Sequence, residues 1–261
     1  MTANDIMIKT NHHLIKGGVL NEHQKTSIGK ELLSECTSRT TSLKENMNSN
    51  GRCMYPIYYI PPQNDYTKLR TVLNQKPKTK IFSANMYELE ILRLLYILIP
   101  DNNQVVYMIN ETLERLKTTC FGYLDDGVGE CFDTSLIVLR FLNTVADHET
   151  EWIQSRIDNY KNHVNDRKRP WYCNWYYWLC LSEMPFETVK YEVDQYKDVM
   201  LDYLIHKSFI MNSTHDRMIH PVLMFILRNV ISKYPEYNYI KNNQPYVSDK
   251  NGRLYFDMLK S

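Results

Sequence analysis

The chain has 261 residues with 31 basic and 30 acidic side chains, and a net charge of +1 offers no electrostatic footprint for nucleic acid or an anionic membrane surface. A hydrophobic share of 43% with 23% charge is that of a globular protein large enough to bury a core without disulfides. Glycine is scarce, at 8 residues, and no P-loop, G-x-S-x-G or dinucleotide fingerprint occurs, which excludes the common nucleotide and serine-hydrolase chemistries.

In chain order, Ile6–Lys16 reads as a short helix stopped by Gly17-Gly18, and Asn21 is placed to cap a helix that runs to Cys36. Residues 37–52 are polar and loop-like. Residues 53–83 read as an irregular insertion or wrapping segment, with Tyr55–Pro62 extended by its prolines and Tyr66–Asn74 a short helix.

From residue 87 two kinds of helix alternate. Tyr87–Ile99, Asp133–Val145, Trp171–Met184 and Met218–Ile231 are apolar nearly all round and must be covered on all sides. Gln104–Thr118, Thr150–Val164 and Phe186–Ile205 carry one apolar stripe each and belong at the surface. Pro100, Ala146-Asp147-His148, Pro185 and Pro235 punctuate the helices, and Pro221 falls near a helix start, where its missing N–H costs least. Gln244–Met258 reads as a small C-terminal β-hairpin around a DKNG turn. The expected fold is all-α: one domain, 1–261, of helical hairpins with an inner and an outer layer, repeating every roughly 40–46 residues.

That alternation fits an α/α-toroid or a HEAT-like solenoid. The segment Leu124–Leu142, LDDGVGECFDTSLIVLRFL, resembles the repeat of the prenyltransferase and squalene/terpenoid cyclase toroids. Asp126-Gly127 and Gly129 match the family's acidic glycine loop, and Asp133-Thr134 match the start of its inner helix. Asp133 stands alone where cyclases carry D-x-D-D. The resemblance implies an aromatic-lined cavity with an acidic mouth, Asp133 as general acid, and a lyase or isomerase acting on an apolar small-molecule substrate.

Three clusters would line such a mouth, where inner-helix N-termini gather. Asp125, Asp126, Glu130 and Asp133 can split their pKa values into an acid and a base or hold a cation such as Mg²⁺; alternatively, Asp133 caps its helix and Asp126-Gly127 makes a turn. The run Trp171-Tyr172-Cys173-Asn174-Trp175-Tyr176-Tyr177-Trp178 can stack on a substrate or a cationic intermediate, or can pack between layers. Asn174 within it needs hydrogen-bond partners. His215 beside Asp216 can act as acid or base, with helix capping by Asp216 or Thr214 as the alternative, and the His215/His220 spacing is wrong for a zinc motif. Arg169 closes a basic run that is either a solvated loop or a phosphate contact.

No apolar run approaches the ~18 residues of a membrane helix and the first residues lack a leader pattern, so a cytoplasmic location is expected. The six cysteines are then reduced thiols, a Cys120–Cys131 disulfide being the alternative. Two further functional readings stand beside the cyclase-like one. One is a non-catalytic helical scaffold binding protein or peptide; the other is a glycan-active α/α-barrel enzyme with paired carboxylates and stacking Trp.

Overall fold

A computed structural model describes residues 1–36, 48–61, 68–124, 130–166, 174–206, 208–210, 213–243 and 253–255. Among them the chain is all-α in class. Nine α-helices are joined by a π-helical turn (Cys120–Leu124) and a 3-10 helix (Pro235–Asn242), with a lone pair of three-residue strands. Contacts cluster into two compact units, residues 1–11 with 19–172 and residues 12–18 with 173–261.

In the first unit, α1 (Ala3–Ile15) contributes its first turns, followed by α2 (Glu22–Ser34). Asn21 caps α2 through a reciprocal capping box with Gln24, as the sequence indicates. Next come α3 (Lys80–Leu98), α4 (Asn103–Lys117), the π turn, α5 (Glu130–Val145) and α6 (Thr150–Asp166). Helix α3 packs on α5, and α4 and α6 each show one buried stripe. Thr79 caps α3, which starts at Lys80, seven residues ahead of the expected Tyr87; the added turns include Ser83 and Asn85, polar yet buried, which interrupt the apolar run. Helix α5 starts at Glu130, so Asp133 lies inside its first turn and is not the N-cap.

The described residues of the wrapping segment form no strand. Its Ile57 and Tyr59 are buried, and the backbone N–H groups of Ile57, Tyr58 and Tyr59 all donate to one oxygen of Glu88, at 2.8, 2.6 and 3.1 Å. Residues 68–74 hold turns rather than the expected short helix, and Asn74 takes a positive φ of 57°.

In the second unit, α7 (Trp175–Glu183) and α8 (Phe186–His206) pack with α9 (Thr214–Ile231). Helix α7 begins at Trp175, later than the expected Trp171, because Asn174 is its cap. Helix α9 begins earlier than the expected Met218, nucleated by a Ser213/Asp216 capping box. Pro221 therefore sits within the helix rather than at its start. Strand β1 (Ser208–Ile210) pairs antiparallel with β2 (Arg253–Tyr255), Phe209 opposite Leu254. The first arm of the expected C-terminal hairpin lies in residues 244–252, outside the described residues.

Candidate functional site

A set of charges in the first unit is buried and paired. Helix α3 is apolar nearly all round, yet Glu88 and Glu90 are at most 1% exposed. Arg115 of α4 reaches Glu88 at 2.9 Å and Asn85 at 2.8 Å. Arg140 of α5 straddles Glu90, at 2.8 and 2.7 Å to its two oxygens, and also donates to Asn11 at 2.8 Å. Arg93 joins this network through Asn11 and Thr144. These ions hold helices together.

The π turn is fixed from two sides. A Cβ on Gly122 would lie 2.1 Å from the Leu116 carbonyl oxygen, so only glycine fits. Trp152 donates its indole N–H to the Gly122 carbonyl at 2.7 Å. The Cys120 and Cys131 sulfurs lie 3.1 Å apart with no disulfide bond between them.

The sequence-derived site residues fall as follows. Asp133 is half-buried in the first turn of α5. Glu130 opens that helix, its side chain outside the described residues, as are Asp126, Arg169, Trp171 and Tyr172. Asn174 is satisfied as a cap: its side-chain oxygen accepts from the Tyr176 and Tyr177 N–H groups at 3.0 and 3.3 Å. Trp175 meets Trp178 edge-on at 5.1 Å, and both meet Tyr203. Trp178 is buried, and its indole N–H has no hydrogen-bond partner among the described residues. The described part of the aromatic run is thus a packed cluster between α7 and α8, reinforced by a 2.9 Å bond from the Tyr177 hydroxyl to buried Glu192. His215 lies in the first turn of α9, and its side chain is outside the described residues. Neighbouring Asp216 is engaged in the capping box and stands 3.7 Å from His220. Among the described residues no three His, Cys, Asp or Glu side chains converge as a metal site.

A cavity that sequence reasoning missed lies wholly in the second unit, at the end of α7 away from the tryptophans. Its volume is about 840 Å³, within the range of small-molecule sites. Lys16, Arg228, Lys233 and Lys241 line it together with Ser182, Ser232 and three asparagines, and no carboxylate is among the lining residues.

The local folding that builds this cavity is clear. Gly17, at φ +83°, ends α1 and lets the chain pass close to the Arg228 guanidinium. The Asn229 side chain donates to the Ile15 carbonyl at 2.9 Å and accepts from Arg228 at 3.2 and 2.9 Å. Arg228 also donates to the Asn243 carbonyl at 3.1 Å, and its guanidinium lies 4.4 Å from the centre of the Phe225 ring. Lys233 donates to the Met184 carbonyl at 2.7 Å. Burial lowers the pKa of both Arg228 and Lys233; at Lys233, Glu183 opposes that shift and Lys241 adds to it.

Part of this charge answers the carbonyl ends of α1, α7 and α9. Each helix end is worth about half a negative charge, so three offset about 1.5 of four full positive charges. A surplus of more than two remains, and none of the four cations makes an ion pair among the described residues.

Comparison with protein-family models, curated proteins and solved structures finds no match for this chain. Fold and cavity together define an all-helical protein with a cationic cleft. No described helix is long and apolar enough to cross a membrane.

Proposed function

We propose that the protein binds a small polyanion, carrying phosphate or several carboxylates, in the cavity between the ends of α1, α7 and α9. The observation that carries this reading is the surplus of positive charge on a walled cavity with no carboxylate in its lining. Arg228 is 5% exposed and prepositioned by Asn229 and the Asn243 carbonyl, so little side-chain entropy is lost when it receives an anion. The Asn238 and Asn242 side chains supply neutral donors, since the Ser182 and Ser232 hydroxyls already donate to the Leu179 and Asn229 carbonyls, and the Phe186 ring offers an apolar wall to the rest of the ligand. Calorimetric titration with inorganic pyrophosphate and with citrate tests the reading and separates the two anion classes. Saturable, salt-sensitive binding of either supports it. Absence of both at low ionic strength overturns it.

A second reading keeps the α/α-toroid and cyclase-like chemistry, with Asp133 as acid toward an apolar substrate. It is supported by the sequence of Leu124–Leu142, by the alternation of wholly buried and one-faced helices, and by the half-buried place of Asp133. Incubation with squalene and product analysis tests it: cyclised product that disappears in Asp133→Asn supports it, and no product from the folded wild type sinks it.

A further inference from the structure

We propose that Cys120 and Cys131 form a reversible thiol–disulfide couple that locks the π-helical turn to the first turn of α5. Their sulfurs, 3.1 Å apart, already touch across two elements joined by residues 125–129. The backbone on both sides is held independently of any bond between them. Gly122 is wedged under the Leu116 carbonyl and anchored by Trp152, while Phe132 stacks on Tyr160 at 5.4 Å. A bridge therefore needs only a small closing movement of two side chains toward bonding distance.

The two thiols are unequal in access. Cys131 is half-exposed and Cys120 is buried at 6% exposure. Their surroundings assign the order of events. The oxidant is a low-molecular-weight disulfide such as oxidised glutathione. The Cys131 thiolate attacks one of its sulfurs, forming a mixed disulfide and expelling one thiolate. The Cys120 thiolate then attacks the Cys131 sulfur and expels the second. Two protein thiols are oxidised, one external disulfide is reduced to two thiols, and the two protons pass to the leaving thiolates or solvent.

Among the described residues, Cys36 and Cys53 have other neighbours than a thiol. Cys36 contacts the Met108 sulfur at 3.7 Å, and Cys53 contacts the Tyr55 carbonyl at 3.6 Å. Burial raises both their thiol pKa values, which leaves them protonated and slow to react.

The link encloses residues 121–130, the stretch with Asp125, Asp126 and Glu130.

The test is peptide mapping by mass spectrometry of the folded, reduced protein after exposure to oxidised glutathione, with free thiols counted before and after. The expected result is a Cys120–Cys131 linked peptide, loss of two thiols per chain, and recovery with dithiothreitol. In Cys120→Ser, the mixed disulfide should persist on Cys131 because the resolving thiol is gone. Glutathione adducts without an internal link in the wild type would overturn the proposal, as would a link between other cysteines or no reaction. The wild-type map decides the matter even where the serine variant fails to fold.

Discussion

The two units spend charge in opposite ways. In the first, Glu88, Glu90, Arg93, Arg115 and Arg140 lie in the interior, each held by partners within a few ångströms. In the second, Lys16, Arg228, Lys233 and Lys241 border an open cavity, without a carboxylate in hydrogen-bond reach. Buried pairs stabilise only as pairs, because each ion left alone would keep its desolvation cost. Cations without a carboxylate partner keep their full charge at the cavity wall even where, as at Arg228 and Lys233, part of their donor capacity is spent on neighbouring oxygens. The comparison separates charge that sets architecture from charge that awaits a ligand.

The largest effect is expected from breaking the internal pairs. Arg140→Met removes the guanidinium from buried Glu90 and should cost about 3–5 kcal/mol in urea unfolding. Adding Glu90→Met should return most of that loss. A double variant as unstable as the single one would show that the pair does more than compensate itself.

On the other side, Lys16→Glu with Lys241→Glu should leave unfolding nearly unchanged, since both side chains are exposed. The same double variant should weaken pyrophosphate binding by more than about 10-fold, since the loss of even one of the two charged contacts is worth about 1.5–3 kcal/mol. Equal binding by wild type and variant would place the anion elsewhere. Next in size, Asn174→Ala should lower stability by about 1 kcal/mol, the usual cost of a lost helix cap, with pyrophosphate affinity unaltered.

The smallest effect is one of pH. Lys233 has a pKa below the ordinary 10.5, mainly through burial, with Glu183 and Lys241 the charged groups acting on it. Its proton is therefore lost at a lower pH than that of a surface lysine. Anion affinity should fall as pH rises through that point, and Lys233→Arg should abolish the fall. The linkage to folding has the opposite sign. Folding disfavours the protonated amine, so this lysine's contribution to stability improves as pH rises through the depressed value and is complete above 10.5.

Much of the helical frame was legible because hydrophobic periodicity records burial. The wholly apolar helices are indeed buried and the striped ones are one-faced, and Asn21 announces its helix through ordinary capping chemistry. Helix starts were read less well where side chains play two parts. Asn174, Ser213 and Thr79 are caps whose role depends on which residue begins the helix, and an apolar run does not say so. The buried ions carried a signal that was there to be used: Glu88, Glu90 and Arg93 interrupt a run with no polar face to accept them, so they had to find partners inside.

The cationic cavity carried almost none. Its four cations come from positions 16, 228, 233 and 241, and basic residues near helix ends are commonplace. Of the site expected from the sequence, Trp175 and Trp178 do sit together, but as packing against Tyr203.

One carboxylate oxygen of Glu88 receives three successive backbone amides, and this gives residues 57–59 their shape without helix or sheet. Such a clip makes local conformation the property of a side chain some thirty positions downstream. Glu88→Gln should weaken the clip and, by leaving buried Arg115 without its carboxylate, lower the stability of the frame as well; in the folded population a protease should cut near Tyr58 and Tyr59 first. The wrapping strap is in effect a buckle with a single pin.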